Sequence, residues 1–199
     1  GSVAAHTRRA KALAAIIACR LAFTDDQQAK LARAGEIYKF DLMTGMVGEF
    51  DELQGIMGEK YANLFGEDAA VAQAIREHYM PISADGELPA SDLGKVLALA
   101  DKLDSLLSFF AGGMVPSGSN DPYALRRAAS GVVNILADNK WDLDIDGILS
   151  DLIADINADS VKFGLPEEVM AELQNNVAAV VNFLTDRVVK ALQDEGVRR

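Results

Sequence analysis

Between Leu93 and Phe110 the chain reads LGKVLALADKLDSLLSFF, where only Lys95, Asp101, Lys102 and Asp104 are charged and the remainder is mostly apolar. Ser91-Asp92 ahead of it is a helix start and Gly112-Gly113 behind it a stop, so the sequence predicts a central, largely buried helix over 93–110. Such a helix needs apolar partners, and half of the 199 residues are hydrophobic, enough for a full-sized core. No alternating apolar and polar run is long enough for a strand, and no repeat period is visible. The expectation is an all-α, multi-helix bundle forming a single domain over 3–199. Gly1-Ser2 reads as a cloning scar, and the chain as a piece of something longer.

The other elements follow from periodicity and punctuation. An Ala-rich helix is predicted over 7–23, with Arg8, Arg9, Lys11 and Arg20 on its polar face. Thr24 followed by Asp25-Asp26-Gln27 reads as an N-cap with acids in the first turn. That second helix is expected to run to Gly45, and a third to cover 49–61. Further helices are predicted over 69–79 before Pro81, from Asp121-Pro122 to Asp138, from Asp146 to Asn157, and from Pro166 to Asp194. The stretch FDLMTGMVGEFDELQGIMG, Phe40 to Gly58, combines acids, glycines and apolar residues in a way that a mere core helix does not need.

Composition narrows the function classes. No apolar run approaches the roughly 18 residues of a membrane span, and the start has no signal-peptide pattern, so a cytoplasmic protein fits best. A net charge of −11 disfavours broad contact with phosphate backbones and leaves room only for a local basic patch. Cys19 has no second cysteine to pair with and reads as a small buried hydrophobe. GGMVPSGSNDP lacks the Lys-Ser/Thr of a phosphate-binding loop. Asp142, Asp144, Asp146 and Gly147 match the first half of a calcium loop, but Ile153 stands where the closing Glu belongs. Asp146 as a helix cap accounts for the same residues.

Histidines are scarce, with only His6 and His78. That leaves no multi-histidine metal site, and with no G-x-S-x-G elbow it disfavours a Ser/His/Asp hydrolase. His78, at a predicted helix end, reads first as a hydrogen-bonded C-capping residue. Glu49 and Glu52, three apart, are expected on one helix face, either as an acid/base pair or as solvated acids. Asp101 and Asp104 lie on a helix that is otherwise apolar and need partners, for which Arg126 and Arg127 are available. An internal ion-pair network and a site are both consistent with them.

Taken in order, KFDLMTGMVGEFDELQGIMGEKYA, AIREHYMP, LALADKLDSLLSFFAGG and VPSGSNDPYALRRAASGVV resemble the β subunit of the bacterial tetrameric glycyl-tRNA synthetase, over nearly the whole chain. The corresponding region of that family is similar to a divergent member of the HD phosphohydrolase superfamily. LADKLDSL resembles the segment supplying that superfamily's last aspartate, here Asp101, while Phe40 to Gly58 contains no His-Asp doublet. The resemblance implies a vestigial pocket of Glu49, Glu52, His78, Asp101 and Asp104, with no catalytic residue and no metal. It also implies a non-catalytic domain that supports tRNA recognition and subunit architecture during ATP-dependent glycylation. ATP and Mg²⁺ would serve the whole enzyme, with no cofactor in this chain. The implied partners are the α subunit, a second β subunit and tRNA(Gly), with Arg126, Arg127 and Lys60 as candidate tRNA contacts. A metal-dependent phosphohydrolase and a helical subunit-docking module are the alternatives.

Overall fold

The computed structural model describes residues 2–197. Gly1 and the closing Arg198-Arg199 lie outside the described residues, as does the side chain of Val197. Ten α-helices are present among the described residues, and the sole β-type pairing is an isolated bridge between Ser117 and Asn120. The all-α expectation holds. Contacts divide the chain after Asp101 into two compact units.

The first unit contains α1 (Val3–Arg20), α2 (Asp25–Ile37), α3 (Gly45–Glu49), α4 (Ile56–Leu64), α5 (Ala69–Glu77) and the first half of α6 (Asp92–Ala111). In α1 the buried stripe is Ala5, Arg9, Ala10, Leu13, Ala14, Ile17 and Ala18, the i, i+4 pattern of one helix face. Cys19 falls beside that stripe and is exposed, correcting the expectation of a buried thiol. Thr24 caps α2 in a full capping box with Gln27, as expected, an arrangement that stabilises a helix start by about 1 kcal/mol.

Between α2 and α5 the structure is more broken than the pattern suggests. The second helix stops at Ile37, well short of Gly45, and a 3₁₀ turn over Phe40–Met43 follows. The expected helix over 49–61 is three pieces: α3, a 3₁₀ turn over Asp51–Leu53, and α4. The interruption has a specific cause. Gly55 adopts φ +76°, a left-handed conformation that favours glycine, and its N–H donates to buried Asp41 Oδ2 at 2.7 Å. A side chain there would also meet the Arg76 carbonyl and the Tyr79 ring at 2.9 Å. Asp41 therefore fixes where α4 begins.

Glu77, only 4% exposed, ties α5 to the start of α6 by accepting from Ala90 N, Ser91 N and Ser91 Oγ. Gly94 leaves room for it, since a β-carbon at that position would collide with the Glu77 carboxylate. The helix start is thus built around an acid from another element.

The second unit contains the rest of α6, then α7 (Leu125–Asn139), α8 (Ile145–Ala158), α9 (Ser160–Phe163) and α10 (Glu167–Val197). Leu103, Leu106 and Leu107 of α6, Val132 and Ile135 of α7, Ile148, Leu149 and Leu152 of α8, and Val180 of α10 are fully buried. Each such side chain is worth about 1.5–3 kcal/mol of burial. Two helix starts differ from expectation. Pro122 lies in a turn before α7, and Asp121 reaches over it to accept from Leu125 N and Arg126 N. Asp144, rather than Asp146, caps α8 by accepting from Gly147 N at 3.0 Å. The cap uses an acid of the calcium-like stretch, and Ile153 at its twelfth position is buried in the core.

Candidate functional site

The most concentrated polar chemistry in the first unit surrounds Asp101. Its Oδ1 accepts from His6 Nε2 at 2.7 Å and from the Tyr38 hydroxyl at 3.0 Å, and it pairs with Lys39 Nζ at 3.2 Å. These donors come from the start of α1 and the residues just after α2, whereas Asp101 lies on α6. One oxygen therefore gathers three chain segments.

Lys39 is itself enclosed. Its ammonium lies 4.5 Å from the centre of the Tyr79 ring and 5.1 Å from that of Tyr38, distances at which an aromatic face stabilises a cation. Tyr38 is fully buried, with the His78 ring edge-on to it at 4.6 Å. His78 is the C-cap of α5, and its Nδ1 donates to the Ile75 carbonyl, so the capping reading of this residue stands.

Burial would raise the Asp101 carboxyl, but the Lys39 ammonium, the hydrogen bond from His6 and the charge of His78 outweigh it. They hold the group well below the ordinary carboxylate range. The Tyr79 hydroxyl is pushed the other way, by burial and then by Asp41 and Asp101. Tyr79 Oη and Asp41 Oδ1 are buried and make no hydrogen bond among the described residues.

Two of the sequence-predicted pocket residues are brought together within the first unit. His78 and Asp101 are neighbours. Asp104 is fully buried in the second unit, where Ser108 Oγ is 3.4 Å from it. Glu49 ends α3 and Glu52 lies in the next 3₁₀ turn, with Phe50 between them at φ −131°, so they share no helix face. The expected shared helix face is corrected on that ground, and both acids are exposed. Neither Arg126 nor Arg127 pairs with Asp101, whose cation is Lys39. The residues that complete the cluster, His6, Tyr38, Lys39 and Asp41, were absent from the predicted pocket. His6 is ninety-five positions from Asp101, and no local spacing joins them.

The donor set does not fit a catalytic metal of the HD type. Among the described residues no three His, Cys, Asp or Glu side chains are grouped to hold an ion. Asp101 Oδ1 already receives an ammonium, an imidazole and a phenol.

In the second unit the candidate contacts are arranged differently. Arg127 is exposed and Arg126 half-buried, both in the first turn of α7, and neither guanidinium makes an ion pair or hydrogen bond among the described residues. Beside them in sequence, Tyr123 is 49% exposed and stacks on Phe109 with ring centres 4.4 Å apart. Lys60, on α4 of the first unit, is exposed.

The sequence profile of the family described as "Glycyl-tRNA synthetase beta subunit" matches residues 1–199. Similar proteins include the glycine–tRNA ligase β subunit of Streptococcus gordonii, 56% identical over 192 residues, covering 96% of this chain and 26% of the relative. The β subunit of Levilactobacillus brevis is 55% identical over 192 residues, with 96% and 27% covered. That of Leuconostoc citreum is 51% identical over 199 residues, with 100% and 27% covered. The chain thus spans about a quarter of the length of the curated relatives it matches. With the profile matched from first residue to last and half or more of the positions identical, this chain belongs to the glycyl-tRNA synthetase β-subunit family.

Proposed function

We propose that this chain is a non-catalytic domain of a glycine–tRNA ligase β subunit, supporting tRNA recognition and subunit architecture while the whole cytoplasmic enzyme attaches glycine to tRNA(Gly). In this reading activation by ATP and Mg²⁺ belongs to the α subunit, and the ligase pairs two α with two β subunits. The helical body is a divergent HD-type scaffold whose Asp101 is committed to Lys39.

The observation that carries the reading is the pair of uncommitted guanidiniums on α7. In a chain of net charge −11, several cations are held by neighbouring acids, as Lys11 is by Glu36 and Arg33 by Glu67. Arg126 and Arg127 are not, and they adjoin an exposed, stacked tyrosine and a loop rich in Ser and Asn. Arginine for phosphate and an aromatic face for a base are the ordinary elements of RNA contact. Lys60 supplies a further cation on the other unit.

The test is R126E/R127E in the assembled ligase, with tRNA(Gly) affinity measured across a salt series. Weaker binding is expected, with a salt slope smaller by about two, while glycine-dependent ATP–pyrophosphate exchange is unchanged. Unaltered affinity and slope would remove these residues from the interface. The phosphohydrolase alternative is disfavoured by the same geometry that denies Asp101 a metal.

A further inference from the structure

From Trp141 to Asp146 the sequence alternates strictly, W-D-L-D-I-D. Residues 141–144 lie between α7 and α8, Ile145 and Asp146 open α8, and burial follows the alternation. Trp141, Leu143 and Ile145 are partly covered, while Asp142, Asp144 and Asp146 are exposed. The covered side faces a groove of about 680 Å³, between the end of α7 and the middle of α10. Val132, Leu136, Leu184 and Val188 line it, and its exposed rim carries three acids, Asp142, Asp144 and Asp146, against one cation, Lys140.

Three observations limit what can occupy it. The polar residues that line the groove, Lys140, Asp142, Asp144, Asp146 and Thr185, are all exposed, so it lacks the enclosed polar set that orients a small molecule. An acidic lip repels phosphate, so this face is unsuited to RNA. A second copy of a chain with net charge −11 is disfavoured for the same reason. The apolar row does not stop at the groove. Val181, Leu184, Val188 and Leu192 lie on one face of α10, and the last two are 41% and 62% exposed. An apolar trough with a negative edge matches an amphipathic helix that presents apolar anchors three and four residues apart, with basic residues beside them.

We propose that this groove seats an apolar helix flanked by Lys or Arg, supplied by a segment of the same β polypeptide outside residues 1–199. The inference rests on membership of the β-subunit family, whose matched relatives have about three quarters of their length outside the matched region. A segment of the same polypeptide is held at high effective concentration, so modest charge complementarity suffices to seat it.

The experiment uses the assembled ligase with its full β subunit and a carbodiimide, which joins a carboxylate to a lysine amine directly. Half of the β chains carry heavy isotopes, so that links within and between copies are distinguished. Links are expected from Asp142 or Asp146 to lysines beside an apolar helical segment of the same β chain. The variant D142K/D146K should lose them and show roughly tenfold faster amide exchange over residues 132–146. Both acids are exposed, and Asp144 is left in place because it caps α8, so the variant retains its fold. Links to the α subunit, links between differently labelled β chains, or absence of links with fast exchange in the unmodified enzyme would each overturn the proposal. So would retention of links and protection in the variant.

Discussion

The two units bury their charges to different extents. The first buries them: Asp41, Glu77 and His78 are at most 4% exposed, and Asp101 and Lys39 share an ion pair that is nearly closed to water. The second buries Lys102 and Asp104 of α6 beside a core otherwise of Leu, Ile and Val from α6, α7, α8 and α10, and leaves Arg127 and Asp142, Asp144 and Asp146 exposed. A charge used to hold helices together is satisfied and unavailable to a ligand. One left at the surface costs little to keep there and remains available. On this comparison the first unit commits more of its charge to internal contacts than the second does.

The largest effect should come from Lys39→Met, which takes the Lys39 ammonium away from Asp101. Removing one partner of a buried pair costs about 3–5 kcal/mol, measurable by urea unfolding. Adding Asp101→Asn should recover part of the loss, because the uncompensated charge is then gone. If Lys39→Met costs no more than a surface substitution, the contrast between the units collapses.

A matching cut in the second unit is Leu149→Ala, at a fully buried position of α8. It should cost about 2–4 kcal/mol through lost burial and the cavity left behind. The two deficits are separable by pH. That of Leu149→Ala should be much the same at pH 4 and pH 7, whereas that of Lys39→Met should shrink in acid, where a neutral carboxyl is cheaper to bury.

A smaller effect is expected in the unaltered protein. The folded Asp101 carboxyl is held below its unfolded value, so its contribution is fully present above the unfolded aspartate pKa of about 4. That contribution is lost as the pH falls through the lower, folded value. Exchange of amides in α1 and around Lys39, followed from neutral pH into that acid window, should therefore accelerate before exchange in the core of α8. The smallest effect is at the surface: R126E/R127E should change unfolding stability by under about 0.5 kcal/mol, leaving its consequence to RNA affinity.

Much of the fold was legible because its signals are local. Thr24 and Gln27 form the capping box the sequence advertises, and the apolar run from Leu93 carries the buried face of α6. The failures occurred where a distant side chain decides local conformation. Asp41, fourteen residues before Gly55, takes its N–H and resets a helix that periodicity would carry onward. Asp121 spans a turn to cap α7, overriding the usual helix start at Pro122. Of the Asp101 cluster, Asp101 stands out in the sequence as a carboxylate on an otherwise apolar helix, and His78 as a lone histidine at a helix end. Lys39 and Tyr38 do not, since nothing in their own neighbourhood distinguishes them from the end of an ordinary amphipathic helix.

Sequence by itself determined the all-helical class, most of the helix starts and the family, because periodicity, caps and long shared segments are written in adjacent residues. Only the tertiary structure decided which cation Asp101 keeps, why Glu49 and Glu52 part company, and that Trp141, Leu143 and Ile145 back onto a groove. Those outcomes depend on electrostatic and packing contacts between positions far apart in the chain, and such contacts exist only once the helices have been brought together.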